Sequence, residues 1–345
     1  MGRPMRTGLG SELSRPRLLA ARLCVAPFRT KERRISVNIF VAGGSGAIGR
    51  QLVPMLVQEG HHVVAMTRSP GGAARLEAMG AAPVIGNVFD KGRLDDLVAQ
   101  AKPEVVIHQL TAFGATDADP LAETIRVRTE GTRNLVDAAR KSNARRFIAQ
   151  SISFICKPVD GGLTDEDTPL YLDAPQAIRP LAQAVSELER QAIHGSGMEG
   201  VVLRYGWFYG PGTNYDPADA IPRAIRKGRM PMVGTGAGTY SFVHVQDAAA
   251  ATMKALTGAE PGIYNIVDDS PARLSEWLPV VAKLLDAPSP AFMDETLARE
   301  KLGDMMVYVF NEQSGASNRK AREALAWEPS IPSWKTGFES LYTTT

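Results

Sequence analysis

Short apolar runs alternate along the chain with longer segments in which apolar residues recur every three or four positions. The first run, residues 37–42, predicts a buried strand, and Ile48, Leu52 and Leu56 share one face of a predicted helix after it. Further strands are predicted at residues 62–66, 83–87, 104–108, 146–150 and 201–204. Helices are predicted from about residue 182 to residue 194 and over the segment that carries Val127, Leu135, Val136 and Ala139. This alternation predicts an α/β fold, a doubly wound parallel Rossmann sheet.

Closely spaced glycines follow the first predicted strand. Three of them fall at intervals of three: Gly43, Gly46 and Gly49. A second set matches G-x-G-x-x-G: Gly44, Gly46 and Gly49. The sequence leaves open which set would contact a pyrophosphate. A strand, turn and helix of this kind point free N–H groups of the helix start at a pyrophosphate, and glycines allow its close approach. We therefore predict a dinucleotide site that includes Gly43, Ser45, Gly46, Ala47, Ile48, Gly49 and Arg50.

The end of the second predicted strand indicates which dinucleotide is bound. NAD enzymes usually carry Asp or Glu here for the ribose hydroxyls, but residues 66–70 contain no acid. Thr67 and Arg68 stand there instead, and Arg68, with Arg50 as a second cation, can pair with a ribose phosphate. The alternative is that both arginines are solvated surface residues. We predict NADP as the cofactor in preference to NAD.

Composition and charge exclude several classes of protein. The chain has 345 residues, of which 44% are hydrophobic and 22% charged, and no unbroken apolar stretch is long enough to span a bilayer. Nine of the 39 Lys and Arg but only two of the 37 Asp and Glu lie in residues 1–34, so the remainder is mildly acidic and is not expected to bind nucleic acid. Cys24 and Cys156 are far apart and the five histidines show no ligand spacing, so neither a disulfide framework nor a metal site is predicted. These features favour a cytoplasmic protein.

The basic segment, residues 1–34, has three interpretations: a disordered tail, an organelle presequence, or an upstream start that is not used. We favour a dispensable tail or a misassigned start, with organelle import as the alternative. Residues 35–345 are expected to form a single NAD(P)-binding domain. The helix and strand pattern loosens after residue 205, which predicts a small substrate-capping region, mainly from residues 205–240 and 268–345.

Several motifs occur together in an order that is more specific than the glycines alone. They are VAGGSGAIG at 41–49, GNVFD at 86–90, VVIH at 105–108, GTRNL at 131–135, LR at 203–204 with GPG at 210–212, FVHVQDAA at 242–249 and YNI at 264–266. In these motifs the chain resembles extended or atypical short-chain dehydrogenases/reductases of the NAD-dependent epimerase/dehydratase family. The resemblance covers roughly residues 37–345.

The resemblance implies the positions of further cofactor contacts and the kind of ligand. Asn87 and Val88 would flank the adenine, although the family more often has Asp at the position of Asn87, while Leu110 and Thr111 would line the path of the nicotinamide ribose and phosphate. It also implies hydride transfer with a small-molecule substrate, and a homodimer is possible.

One departure from the family pattern bears on the chemistry. The family usually carries Tyr-x-x-x-Lys on the helix after the fifth strand, where Lys lowers the phenol pKa and Tyr transfers the proton. When Glu189 is aligned with the family's glutamate, Leu181 and Val185 stand at these two positions, and the chain has no Tyr-x-x-x-Lys anywhere. The standard acid/base pair is absent.

Four residues are candidates to replace this pair. Ser151 and Ser153 follow the fifth strand, with turn or helix capping as the alternative role. Tyr171 lies in a predicted loop, with packing as its alternative, and Tyr205 ends the sixth strand, where its phenol would contact substrate or simply pack. His244 and Asp247 are expected to cap a helix over residues 247–256, and Arg204 is expected to be solvated or structural.

Two functions fit this sequence. The first is an NADP-dependent oxidoreductase or epimerase/dehydratase-type enzyme that transfers hydride between NADP(H) and a small carbonyl or hydroxyl substrate. The second is a non-catalytic NADP-binding redox-sensing regulator or accessory subunit, which the missing Tyr and Lys favour. The aromatic residues available in the capping region favour the enzyme.

Overall fold

The computed structural model describes residue 1 and residues 36–111, 119–195 and 197–343. The expectations for the basic segment fall on residues 2–34, which lie outside the described residues. The strands are β1 (Asn38–Ala42), β2 (His62–Thr67), β3 (Ala82–Ile85), β4 (Val105–His108), β5 (Arg146–Ile152), β6 (Glu199–Tyr205), β7 (Trp207–Tyr209), β8 (Met232–Val233), β9 (Thr239–Tyr240), β10 (Phe242–His244), β11 (Gly262–Ile266), β12 (Ala272–Arg273) and β13 (Phe292–Met293).

The helices follow the same chain order. They are α1 (Ala47–Gln58), α2 (Pro70–Ala78), α3 (Lys91–Ala101), α4 (Pro120–Arg126), α5 (Thr132–Lys141), α6 (Arg179–Ile193), α7 (Ala220–Arg226), α8 (Val245–Thr257), α9 (Leu274–Leu284), α10 (Glu295–Leu302), α11 (Asp304–Val307), α12 (Arg319–Leu325) and α13 (Trp334–Thr343). Two π-helical turns, at Val127–Gly131 and Tyr308–Glu312, interrupt the regular helices.

Within the described residues, seven strands form one parallel sheet in the order β11-β6-β5-β4-β1-β2-β3. The chain runs outward from β1 through β2 to β3, crosses back, and continues on the other side of β1 from β4. This reversal opens a crevice at the carboxyl ends of β1 and β4, where doubly wound sheets bind their ligands. The predicted fold class is confirmed.

The sequence pattern identified six of the seven sheet strands and missed β11. Its first residues, Gly262 and Ile263, are only partly buried, and Gly262 has a φ of 155°. A strand that opens on glycine and is not fully buried lacks the continuous apolar run that identified the others. It pairs with β6 and extends the sheet by one strand.

Apolar layers cover both faces of the sheet, and a separate cluster lies beyond the carboxyl ends of β5 and β6. This second cluster combines Tyr215, Tyr240, Phe242, Trp277 and Phe338, whose rings contact one another at centroid distances between 5.1 and 6.1 Å. The short strand pairs β7–β10, β9–β12 and β8–β13 lie in this part of the chain. It therefore has its own aromatic core. No helix among the described residues is long and apolar enough to cross a membrane.

Candidate active site

The glycine turn after β1 is packed directly against the loop that follows β4. Gly43 has a φ of 93°, and a Cβ built on it would lie 2.6 Å from the backbone oxygen of Gln109. A Cβ on Gly49 would lie 2.3 Å from the backbone oxygen of Gly44, so the start of α1 lies against the turn. Gly43 requires glycine because both its positive φ and the lack of space exclude a side chain, whereas Gly49 requires it for lack of space alone.

The start of α1 has the properties of an anion site. Gly46 is the N-cap residue, is exposed, and provides no side-chain hydrogen bond to the first turn. The first turn contains no acidic residue, so the N–H groups at Ala47 and Ile48 meet no competing carboxylate there. Free amides together with the positive end of the helix dipole favour a bound phosphate at this position.

Residues at the end of β2 adjoin the same turn. The Ser45 and Thr67 hydroxyl oxygens are 2.9 Å apart and hydrogen-bonded, so the glycine turn is tied to β2. Arg68 follows and is exposed, and Ser69 caps α2 by accepting a hydrogen bond from the Gly72 N–H. The Arg50 Nε donates to the backbone oxygen of Ser45, so this cation lies beside the glycine turn as well.

The remaining predicted cofactor residues line the two neighbouring strand ends. Asn87 is exposed after β3 and accepts a hydrogen bond from the Phe89 N–H, while Val88 is buried. Leu110 and Thr111 follow β4 and are half-buried. The structure thus brings the predicted cofactor residues to the carboxyl ends of β1, β2, β3 and β4, along one edge of the sheet.

A closed network of charged groups occupies the ends of β5 and β6. Arg204 donates to both carboxylate oxygens of Glu189 at 2.8 Å, and the Ser151 hydroxyl donates to the same carboxylate at 2.8 Å. All three side chains are buried, with 3%, 5% and 0% exposure respectively. Arg204 is therefore structural, one of the two expected alternatives, and the Ser151 hydroxyl is engaged within the network.

The buried side chains of the first two turns of α6, near the end of β5, are apolar. Leu181 and Val185, at the positions of the family's Tyr and Lys, are buried in the same cluster as Ile152 and Ile155. Ser153 is 2% exposed, and its N–H donates to the backbone oxygen of Tyr205. The position that would hold a proton donor and its activating cation is filled by hydrocarbon.

The two candidate tyrosines have different surroundings. Tyr205 is fully buried, and its hydroxyl lies 2.7 Å from the Thr252 hydroxyl and 3.4 Å from the Gln109 amide nitrogen. Burial raises the pKa of Tyr205 to about 12, so the phenol stays protonated. Tyr171 is half-buried, and its ring centroid lies 5.9 Å from that of Tyr308. These contacts fit packing and hydrogen-bonding roles for Tyr205 and leave Tyr171 partly accessible.

Aromatic rings flank the segment after β5, and the sequence reasoning did not single out this arrangement. Phe154 and Trp207 are half-buried and stacked, with centroids 4.2 Å apart and planes 20° from parallel. The Tyr308 hydroxyl donates to the backbone oxygens of Phe154 and Cys156, which fixes this segment against the second π-helical turn. We call Phe154, Trp207, Tyr171 and Tyr308 the aromatic wall.

His244 and Asp247, near β10, have different roles in the structure, although the sequence predicts helix capping for both. The His244 side chain accepts a hydrogen bond from the Gln246 N–H and caps α8, as expected. Asp247 does not cap the helix. Its carboxylate accepts hydrogen bonds from the Ser330 N–H and hydroxyl and from the Ile331 N–H, so it fastens the C-terminal segment to α8. No group of three or more metal-ligating side chains is found in the described ranges.

Comparison with known families decides the identity. The family model described as the NAD dependent epimerase/dehydratase family matches residues 39–267, more than half of the chain. The chain belongs to this family. The family prediction from the sequence motifs is confirmed, and the protein is an NAD(P)-dependent enzyme of the oxidoreductase or epimerase type.

Relatives within the family differ in their reactions. The chain is 41% identical over 305 residues to a 3-diazoavenalumate denitrifying reductase of a Streptomyces species, which covers 87% of this chain and 99% of the relative. Among solved structures it resembles the UDP-glucose 4-epimerase of Thermotoga maritima with UDP-glucose, with a TM-score of 0.71, 22% identity and coverage of 88% and 97%. It also resembles the UDP-glucose 4-epimerase of Thermus thermophilus in complex with NAD, with a TM-score of 0.68, 24% identity and coverage of 87% and 96%. Both solved structures have the same fold as this chain.

Proposed function

We propose that this protein is an NADPH-dependent reductase that delivers hydride to the aromatic ring carbon that carries a diazo group, and this group leaves as dinitrogen. The observation that carries the proposal is the apolar face of α6, where Leu181 and Val185 stand at the positions of the family's Tyr and Lys. The name of the 41%-identical reductase supplies the substrate class.

The need for a proton donor separates this reaction from carbonyl reduction. Hydride addition to a carbonyl produces an alkoxide, so enzymes place a general acid at the oxygen. Hydride transfer to an arenediazonium ion requires no such acid, because the leaving group is neutral dinitrogen. In balance, the arenediazonium and NADPH give the arene, dinitrogen and NADP⁺; the new C–H bond takes the hydride, and the broken C–N bond leaves its electron pair on nitrogen.

The residues near β5 suit a planar aromatic substrate. Phe154 and Trp207 offer partly exposed ring surface beside Ser153, and Tyr171 adds a third partly exposed ring. Aromatic side chains stack on planar rings and exclude water, which protects a diazonium ion from hydrolysis. When bound, the nicotinamide supplies the hydride, and the chain's role is to align the ring with it.

We also propose NADPH as the reductant. Arg68 is exposed at the end of β2, and α2 starts beside it with no acidic residue in its first turn. A cation next to a helix N-terminus suits the extra phosphate of NADP, whereas no acid stands near Arg68 in residues 66–70 to accept from the ribose hydroxyls of NAD. The proposal also includes a cytoplasmic location and assembly as a homodimer.

The test is turnover by the purified full-length chain. Benzenediazonium and 4-carboxybenzenediazonium are each mixed with NADPH or NADH, and the absorbance of the reduced nicotinamide, the arene formed and the dinitrogen released are measured against an enzyme-free background. We expect stoichiometric arene, dinitrogen and oxidised cofactor, with NADPH preferred. Faster reduction of a panel of aldehydes and ketones than of either diazonium would overturn the proposal.

A regulator with the same fold gives a different result. It binds NADPH, as measured by calorimetry, but consumes none with any substrate in the panel. The match to a relative named a reductase, over 87% of this chain and 99% of the relative, favours turnover.

A further inference from the structure

Arg128 is a buried cation with no hydrogen-bond partner among the described residues. Its side chain is 2% exposed, and its Nε is fully enclosed without an acceptor. Burial lowers the pKa of Arg128 to about 10, against the opposing effect of the Glu189 charge, so the guanidinium still carries its proton at neutral pH. An enclosed charge without a partner is costly, because water no longer solvates it.

The neighbouring ionisable groups do not neutralise this cation. Glu189 already accepts hydrogen bonds from Nε and Nη2 of Arg204 and from the Ser151 hydroxyl. His108 accepts from the Leu110 N–H at Nδ1, which leaves its Nε2 to donate to the Thr132 hydroxyl, so the imidazole is neutral. Burial, and then the Arg128 charge, lower the pKa of His108 to about 3. Among Arg128, Arg204, Glu189 and His108, the charges therefore sum to one positive charge.

The location of Arg128 connects this charge to the active site. Arg128 lies in the π-helical turn Val127–Gly131, and such turns occur frequently at functional sites. His108, on which its charge acts, ends β4. Glu189, whose charge acts on Arg128, bonds to Ser151 near the end of β5. Arg128 therefore lies near the ends of β4 and β5, on the opposite side of β1 from β2 and β3, and we assign this side to the substrate.

We propose that Arg128 binds the carboxylate of the substrate. A carboxylate matches the planar fork of Nε and a terminal nitrogen bidentately, and it would supply the missing negative charge. This inference rests on the proposed function for its substrate class, since an aromatic acid would place its ring toward the aromatic wall and its carboxylate at Arg128. The dinucleotide pyrophosphate has the same anionic chemistry, so the test distinguishes the two sources.

The test measures binding rather than turnover. Cinnamate and its uncharged analogue cinnamamide are titrated calorimetrically into the full-length protein loaded with NADP⁺. We expect cinnamate to bind about 10- to 100-fold more tightly than cinnamamide, the range for a charge-assisted hydrogen-bonded contact. Arg128→Met should abolish this difference, and Arg128→Lys should retain part of it.

Two controls separate recognition from structure. Arg126 is two residues away but exposed and paired with Glu130, so Arg126→Met should leave the cinnamate preference unchanged. The ligand-free Arg128→Met protein should keep or raise its melting temperature, because an uncompensated buried charge is removed. A lowered melting temperature would show that Arg128 has a structural partner and would overturn the proposal.

The remaining outcomes are equally decisive. Equal affinity of the wild type for cinnamate and cinnamamide would overturn the proposal, as would an unchanged cinnamate preference in Arg128→Met. A parallel loss of NADPH affinity in that variant would assign Arg128 to the cofactor instead. If neither diazonium ion is reduced while the cinnamate preference depends on Arg128, the proposed function fails and the carboxylate site stands.

Discussion

The nucleotide side and the substrate side of the crevice are built differently. On the nucleotide side, β1, the glycine turn and α1 are consecutive in the chain, and the proposed phosphate site consists of backbone N–H groups. On the substrate side, Arg128, Ser151, Glu189 and Arg204 come from four separate elements and act through side chains.

This difference explains which side can change its chemistry. A backbone site depends on a strand, a turn and a helix start, so it tolerates little substitution and keeps one ligand class. The substrate side can lose a Tyr and a Lys to Leu181 and Val185 without losing the fold, because the replacements join an apolar cluster already present. Variants on each side therefore test whether the two sides contribute independently to stability and binding.

The largest effect is expected from Glu189→Gln on the substrate side. The change leaves Arg204 buried without its counter-charge, which should lower the free energy of unfolding by about 3–5 kcal/mol. Urea denaturation measures it. Glu187→Gln is the matched control on the same helix, since its pair with Arg190 is partly exposed and is worth about 1 kcal/mol or less. A loss no larger than that of the control would contradict a structural network at this site.

The next effect is expected on the nucleotide side from Arg68→Asp. Loss of the cation and gain of a carboxylate should weaken NADPH about 10- to 100-fold while leaving NADH nearly unchanged. Fluorescence titration with both dinucleotides measures it, with Arg75→Asp, at an exposed position of α2, as the control. Equal weakening of both cofactors would remove the phosphate-binding role of Arg68.

A smaller, pH-dependent effect is expected from Asp268→Asn in the capping region. Asp268 is 2% exposed, and burial raises its pKa to about 8. Between about pH 4 and pH 8 the folded chain binds a proton at Asp268 that the unfolded chain lacks, so wild-type stability falls as the pH rises. The variant should lose this slope and exceed the wild type by at least about 1 kcal/mol at pH 8. Asp269→Asn, at an exposed neighbour, should keep the slope in urea titrations.

The smallest effect is expected from Tyr205→Phe, at the boundary between the two sides. Its hydroxyl contacts Gln109 after β4 and Thr252 on α8, and its removal should cost about 1 kcal/mol in the free energy of unfolding. The rate of NADPH oxidation should change less than about twofold, because a buried phenol of raised pKa is not needed as an acid. A tenfold loss of rate at unchanged stability would instead make Tyr205 a catalytic residue.

The division between the nucleotide side and the substrate side also separates the features that could be predicted from the sequence from those that could not. Six of the sheet strands, the glycine turn and the family follow from residues close together in the chain, whose apolar spacing and glycines have local causes. The absence of Tyr-x-x-x-Lys was also visible, because both residues belong to one helical segment.

The side-chain network could not be predicted, because its members are far apart in sequence. Ser151 is a predicted catalytic residue from its place near the end of β5, but its bond to Glu189, 38 residues away, could not be predicted from the sequence. The sequence offers one signal for Arg128: it shares a predicted helix face with Thr132, Leu135 and Ala139, and all three of these residues are buried. Without the helix register, which the π-helical turn alters, that position could not be distinguished from a solvated arginine.

The wide turn at Val127–Gly131 has a consequence for comparing relatives. Its backbone hydrogen bonds join residues that are five positions apart rather than four, so this turn contains one more residue than a regular helical turn. A homologue with a single deletion here would rewind as a regular helix and aim a different side chain at the same point. Positional equivalence to Arg128 should therefore be judged by superposing the helix, not by counting along an alignment.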